Sequence, residues 1–203
     1  MALVVSDMSI SLDGYVTGPN DSRENPFGDG AGMLHSWFGE AATDEDRAIL
    51  QAGLDGLGAI VMGRTSFEKN EGDGGWGDGG PAGDIPCFVV AHQVPSRSYP
   101  PVFTFVTDGV ASAIEQAQRA AGDKVVHLFG ATVMQQALPL RLVDEIHVHV
   151  VAVLIGAGTP LFGTLTRRSP SNAPTPASPR RRRTSDSAWS DSTDLLPAGR
   201  RCR

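Results

Sequence analysis

Three short stretches hold residue types that do chemistry. In AIVMGRTSFE, residues 59–68, an apolar run ends in Gly63, and Arg64, Thr65 and Ser66 follow at once. A glycine lets a ligand approach the backbone closely. An arginine offers a planar fork matched to phosphate oxygens. A helix starting there turns its first N–H groups toward an anion. The bland alternative is a strand exit with a solvated arginine. In HLFGATVMQQAL, residues 127–138, a second apolar run meets a glycine at a helix start. Gly130, Ala131 and Thr132 then offer N–H groups to a pyrophosphate, or form only a tight strand-to-helix turn. Two such turns in one small sheet, one carrying arginine, point to an extended phosphorylated ligand such as a dinucleotide. The third stretch, SISLDGYVTGPN, puts Asp13-Gly14 after a strand. It reads as an ordinary turn, or as a carboxylate beside a substrate ring that orients a polar edge or helps to deliver a proton.

The histidines carry less. His147 and His149 lie two apart in a strand-like run and so share a face. Zinc needs a third ligand and a supporting shell, and the sequence offers no supplier, so no metal site is expected. His92 follows CFVVA and is placed to line the same crevice. Trp37, Phe38 and Trp76 are lids or loop anchors. No G-x-G-x-x-G follows the first apolar run and no G-x-x-x-x-G-K-[ST] occurs. GAGTPLFG at Gly156 is a superficial match only, since Pro160 and Leu161 interrupt it.

These residues need a frame. LVVSDMSIS, AIVMG, CFVVA, FTFVT, KVVHLF and VDEIHVHVVAVLIG read as strands, the last a long one with period-two alternation in its first half. Thr43 with Asp46 three residues on is an N-cap signature before RAILQAGL. Asp108 is placed to cap a helix with Val110, Ile114, Ala117 and Ala121 on one face and Gly122 at its end. GATVMQQAL is a helix that Pro139 stops. GPNDSRENPFGDGAG and EGDGGWGDGGPAG read as loops, the second flexible by composition. Strands alternating with helices give an α/β fold with a mostly parallel sheet, and ligands of such sheets collect beyond the carboxyl ends of the strands.

The 203 residues carry a net charge of −6, which hides a break. Residues 1–165 hold eight basic and 20 acidic residues, a net −12, whereas residues 166–203 hold nine and three, a net +6. An acidic body repels nucleic acid, and each of its eight basic residues gains interest. No run approaches the length of a membrane span. Two cysteines make neither a disulfide framework nor a zinc site, so the reducing cytoplasm is the simplest compartment. Segment 166–203 lacks Val, Ile, Phe, Tyr and Met, holds five prolines and a four-arginine run, and reads as a disordered basic tail. The abrupt loss of strand-forming residues there reads as a shifted reading frame, which the coding DNA would reveal.

In order, SLDGYVTGP, IVMGRTSFE, FVVAH, VTDGVASAIEQAQRAAGDKVVHLFGA and LVDEIHVHVVAVLIGAGTPLF resemble the dihydrofolate reductase-like superfamily. They resemble more closely the stand-alone relatives of RibD's C-terminal domain, the reductase half of the riboflavin-synthesis deaminase–reductase. The resemblance spans roughly residues 2–163. It implies a twisted, mostly parallel sheet flanked by helices in residues 1–165, with NADPH bound across the strand ends. By position, Gly63, Arg64, Thr65 and Ser66 match the segment gripping the adenosine 2′-phosphate and pyrophosphate. Gly130, Ala131, Thr132 and Val133 match the second phosphate turn. Val90, Ala91 and His92 match a strand end beside the adenine half. Ser11, Asp13 and Gly14 match the loop over nicotinamide and substrate, with Asp13 the positional candidate for catalysis. The implied activity is NADPH-dependent hydride transfer to a small heterocycle, of the 5-amino-6-(5-phosphoribosylamino)uracil reductase type. The alternatives are pterin reduction of the dihydrofolate reductase type and a nucleotide-binding remnant of the fold. The implied partner is a small molecule, and a homodimer is left open. Four departures stand out. Phe129 occupies the place of the first of two adjacent glycines, Arg141 that of a common glycine and Ala152 that of a usual proline, and the usual terminal strand pair is not expected after PLFG.

Overall fold

The computed structural model describes residues 1–39, 42–70, 75–77 and 79–163. In chain order these form β1 (Val4–Ser11), β2 (Tyr15–Thr17), a 3-10 segment (Gly32–Phe38), α1 (Asp44–Gly56), β3 (Leu57–Gly63), α2 (Arg64–Asn70), β4 (Cys87–Val90) and β5 (Phe103–Val106). Then come α3 (Val110–Ala121), β6 (Val125–Phe129), α4 (Ala131–Ala137), a 3-10 turn (Leu138–Leu140), β7 (Glu145–Val151) and β8 (Thr159–Pro160). The expected basic tail, the expected loss of a terminal strand pair and part of the glycine-rich stretch near Trp76 lie outside the described residues.

Six strands make one sheet in the order β5-β4-β3-β6-β1-β7, with every neighbouring pair parallel. β2 and β8 form a separate antiparallel pair. The central strands read as unbroken apolar runs because both of their faces are covered. On one face α3 buries Val110, Ala113, Ile114, Ala117 and Ala121 against Ala59, Val61, Phe88, Val126 and Leu128. On the other, Ile60, Met62, Cys87 and Val89 lie in a cluster with Phe67 of α2. Burial pushes the Cys87 thiol up to about 12, so it behaves as an inert apolar group.

The Thr43–Asp46 capping box forms as its spacing predicts. The expected Asp108 cap does not: the N-cap is Gly109, at φ 99, and no side chain caps the helix. The chain enters α3 through a positive-φ turn, which leaves Asp108 one residue too early. The last strand is also shorter than expected, ending at Val151.

Arg141 sits where the resemblance implies a glycine, and its backbone shows why. It closes the 3-10 turn after α4 at φ 59, ψ 37, a left-handed conformation that an L side chain adopts at a cost. Arg141→Gly is therefore expected to stabilise the fold by about 1 kcal/mol, read from urea unfolding midpoints. An unchanged or lower midpoint would mean that the arginine side chain repays its backbone strain.

Candidate functional site

In a fully parallel sheet all carboxyl ends share one edge. Ser11, Asp13 and Gly14 at β1, Gly63 to Ser66 at β3, Val90 to His92 at β4 and Gly130 to Val133 at β6 therefore line a single rim. The chain runs outward from β3 through β4 to β5, then returns to place β6 between β3 and β1. The strand order reverses at β3/β6, and that is where such sheets open a crevice.

Both predicted glycine turns meet at this point. Met62 pairs with Phe129 across β3 and β6, so Gly63 and Gly130 follow side by side. A Cβ on Gly130 would lie 2.6 Å from the Ser66 Oγ, and one on Gly63 would lie 3.4 Å from a Val133 methyl. Gly130 has φ 98, ψ 144, a region kept for glycine. The crevice is thus bare backbone rimmed by Ser66 and the exposed hydroxyls of Thr65 and Thr132, a donor set that fits the phosphates of a dinucleotide. Ala131 and Val133 are buried and support the turn from below. Ala91 is buried and its N–H donates to the Val106 carbonyl, while Val90 is half-buried and His92 exposed. Phe129 is the last residue of β6, and its side chain packs on the Phe67 cluster.

Arg64 opens α2, and its Nε donates to Glu68 Oε1 at 2.7 Å, one helical turn away. Its guanidinium lies 6.0 Å from the centre of the Phe105 ring. Beside Thr65 opens a cleft of about 460 Å³ whose lining includes Arg23, Glu68, Lys69, Arg97 and Tyr99. Lys69 is paired with Asp21, and Arg97 lies 4.6 Å from the centre of the Tyr99 ring. Three of the body's eight basic residues thus gather next to the predicted phosphate turn. Sequence reasoning had missed them, and their scarcity in an acidic chain was the available signal.

Asp13 is placed at the rim, but its carboxylate is engaged. It accepts bonds from Ser11 Oγ at 2.6 Å, from Gly156 N at 2.7 Å and from Ile155 N at 3.1 Å. The Ser11 hydroxyl, more than the two backbone bonds, holds the carboxyl below the usual aspartate range. Asp13 is thus an ionised acceptor that ties residues 155–156 to the end of β1. Ser11 is buried, and its Oγ also accepts from Tyr15 N. Gly14 turns at φ 88, and its carbonyl accepts from Leu161 N.

His147 and His149 share a face of β7, as their spacing predicts, and both approach Asp7 of β1. Among the described residues no group of three or more side chains is arranged to hold a metal ion. His127 is half-buried on the same face with its Nε2 3.1 Å from the Asp7 carbonyl, and desolvation lowers its affinity for a second proton. Among the described residues no helix is long and apolar enough to cross a membrane.

Known proteins agree with this architecture. A Bacillus subtilis (strain 168) protein, YyaP, named as uncharacterized, is 23% identical over 177 residues, covering 81% of this chain and 82% of YyaP. A solved protein from Shewanella sp. PV-4, assigned to riboflavin biosynthesis, superposes with a TM-score of 0.61 at 24% identity, covering 83% of this chain and 86% of that one. The diaminohydroxyphosphoribosylaminopyrimidine deaminase/5-amino-6-(5-phosphoribosylamino)uracil reductase of Thermotoga maritima superposes with a TM-score of 0.52 at 16% identity. That match covers 85% of this chain but 51% of the Thermotoga chain, so this protein spans about half the length of the bifunctional one. At these identities both structures speak for the fold alone. The family model described as the RibD C-terminal domain matches residues 2–184, and with nearly the whole chain so covered, this protein belongs to the RibD C-terminal domain family.

Proposed function

We propose that this protein is an NADPH-dependent reductase that transfers hydride to a small heterocyclic substrate, of the 5-amino-6-(5-phosphoribosylamino)uracil reductase type. The observation that carries the reading is the pair of glycine turns, Gly63 and Gly130, meeting at the β3/β6 crevice. Gly130 to Thr132 and Gly63 to Ser66 would hold the pyrophosphate, and Arg64 the 2′-phosphate through the outer fork of its guanidinium. The cleft lined by Arg23, Lys69 and Arg97 supports the reading by placing basic side chains beside that clamp. Val90 to His92 would flank the adenine half, and Ser11 and Gly14 would shape the floor beneath nicotinamide and substrate. Asp13 positions that floor by fixing residues 155–156. When bound, the nicotinamide supplies the hydride from its C4. The protein's share is alignment and exclusion of water.

Titration of NADPH and NADH, followed by nicotinamide fluorescence, tests this. The wild type should prefer NADPH. Arg64→Ala should lose most of that preference, weakening NADPH by about tenfold or more while NADH changes little. A charge-assisted bond of about 1.5–3 kcal/mol sets that scale. Equal, negligible binding of both cofactors by the wild type would leave a remnant of the fold and sink the reductase reading.

A further inference from the structure

We infer that His149, held by Asp7 and stacked against Trp37, donates the proton when a carbon–nitrogen double bond is reduced in this site; the inference rests on the reductase reading above. Alternate residues of a strand share a face. The parallel register sets Asp7 beside His147, Ser9 beside His149 and Ser11 beside Val151. A file of polar groups therefore climbs this face toward the rim. His149 Nε2 lies 2.7 Å from Asp7 Oδ1. The Trp37 indole stacks on the imidazole, with centroids 4.4 Å apart and planes 26° apart. Its Nε1–H donates to Ser9 Oγ at 2.8 Å. Above Ser9 comes Ser11, bonded to Asp13. Ser9 is one pleat repeat, about 7 Å, below the end of β1, so His149 lies within reach of a ring entering from the rim. Its side chain is 25% exposed, open enough to meet a ligand and anchored enough to be aimed.

Asp13 does not fit the donor role. Its carboxylate accepts three bonds and stays ionised. His149 does fit. Asp7 engages Nε2 and supplies a counter-charge to an imidazolium, leaving Nδ1–H as the group offered to a ligand. In the step, a hydride from a reduced nicotinamide forms the new C–H bond. The π pair of the C=N bond moves to nitrogen, which takes the proton from His149 Nδ1. The nicotinamide leaves oxidised, the C=N bond is reduced, and neutral His149 regains a proton from water. Asp7 and Trp37 contact His149 and Ser9 lies beside it, while His147 and Glu145 of β7 and His127 of β6 share the same face of the sheet. His147 shares the Asp7 carboxylate at 3.6 Å and has Glu145 at 3.0 Å as its own partner.

The test uses the full chain with NADPH and two probes, dihydrofolate and 5-amino-6-(5-phosphoribosylamino)uracil, from pH 5 to 9. Wild-type kcat should fall as the imidazolium is lost. His149→Gln should lower kcat about a hundredfold, leave KM nearly unchanged and erase that limb of the profile. Asp7→Asn keeps the ring but removes the counter-charge, so the limb should move to lower pH. It decides the matter if His149→Gln does not fold. Tryptophan emission gives a readout independent of turnover. A protonated imidazole quenches a stacked indole, so emission should rise with pH at the kinetic midpoint, and both His149→Gln and Trp37→Phe should abolish the rise. Turnover with a pH profile unchanged in His149→Gln, or an emission change that survives that substitution, overturns the assignment alone. NADPH binding with no oxidation by either probe overturns it together with the reductase reading.

Discussion

Phe67→Ala should lower the unfolding free energy by about 3–5 kcal/mol, the range for emptying a buried aromatic site. Phe67 is fully buried and is the largest such side chain among the described residues. Its ring meets Phe103 at 5.1 Å and Phe105 at 5.3 Å edge-on, Tyr99 at 5.0 Å, and Trp76 at 6.3 Å. Such aromatic pairs add about 0.5–1.5 kcal/mol beyond their buried area. The loss should reach the site as well as the core. Phe67 lies three residues after Arg64 on a two-turn helix, and α2 has no other buried residue to hold it against the sheet. NADPH affinity should therefore fall with stability. Phe67→Leu, which refills most of the volume, should recover the greater part of both. Urea unfolding and nicotinamide fluorescence on the two variants check this. A destabilised Phe67→Ala that still binds NADPH at wild-type affinity would show that α2 is seated by something other than this ring.

Gly130→Ala should act at the ligand more than on the fold. A side chain there faces two separate obstacles. The φ of 98 with ψ 144 belongs to glycine, at a cost of about 1–3 kcal/mol to any other residue. The new Cβ would also lie 2.6 Å from Ser66 Oγ. The second obstacle is soft, because a serine hydroxyl can rotate away, whereas the first is fixed by the backbone. Adding Ser66→Ala should thus relieve part of the destabilisation and leave the remainder. Neither change restores a bare crevice, so NADPH should bind at least about tenfold more weakly in the single and the double variant. Differential scanning calorimetry and NADPH titration on the wild type and the two variants measure both. Wild-type affinity in Gly130→Ala would move the phosphates out of the β3/β6 crevice.

Much of this was legible in the chain. The central strands announced themselves as apolar runs because both of their faces are covered, and burial on two sides needs no alternation to be read. The Thr43 capping box was legible because its partners lie three residues apart. The Gly63 and Gly130 turns were legible because a glycine between a strand and a helix is a local necessity. Asp108 misled because an N-cap depends on the φ of the residue beside it, and Gly109 turns positive. The 3-10 segment that carries Trp37 gave no signal, since so short a coil has no periodicity to detect.

What sequence by itself determined is the class of fold and the position of its glycine turns, both written in neighbours along the chain. Tertiary structure alone decided which side chains meet. The approach of Asp7 to His149 spans 142 residues and is set by the parallel register of β1 and β7. The gathering of Arg23, Lys69 and Arg97 joins three separate segments around one cleft. Asp13 became an anchor when residues 155 and 156 turned their N–H groups onto it. A side chain's chemistry follows from its partners, and partners far apart in sequence are chosen by strand order and register, which local patterns do not encode.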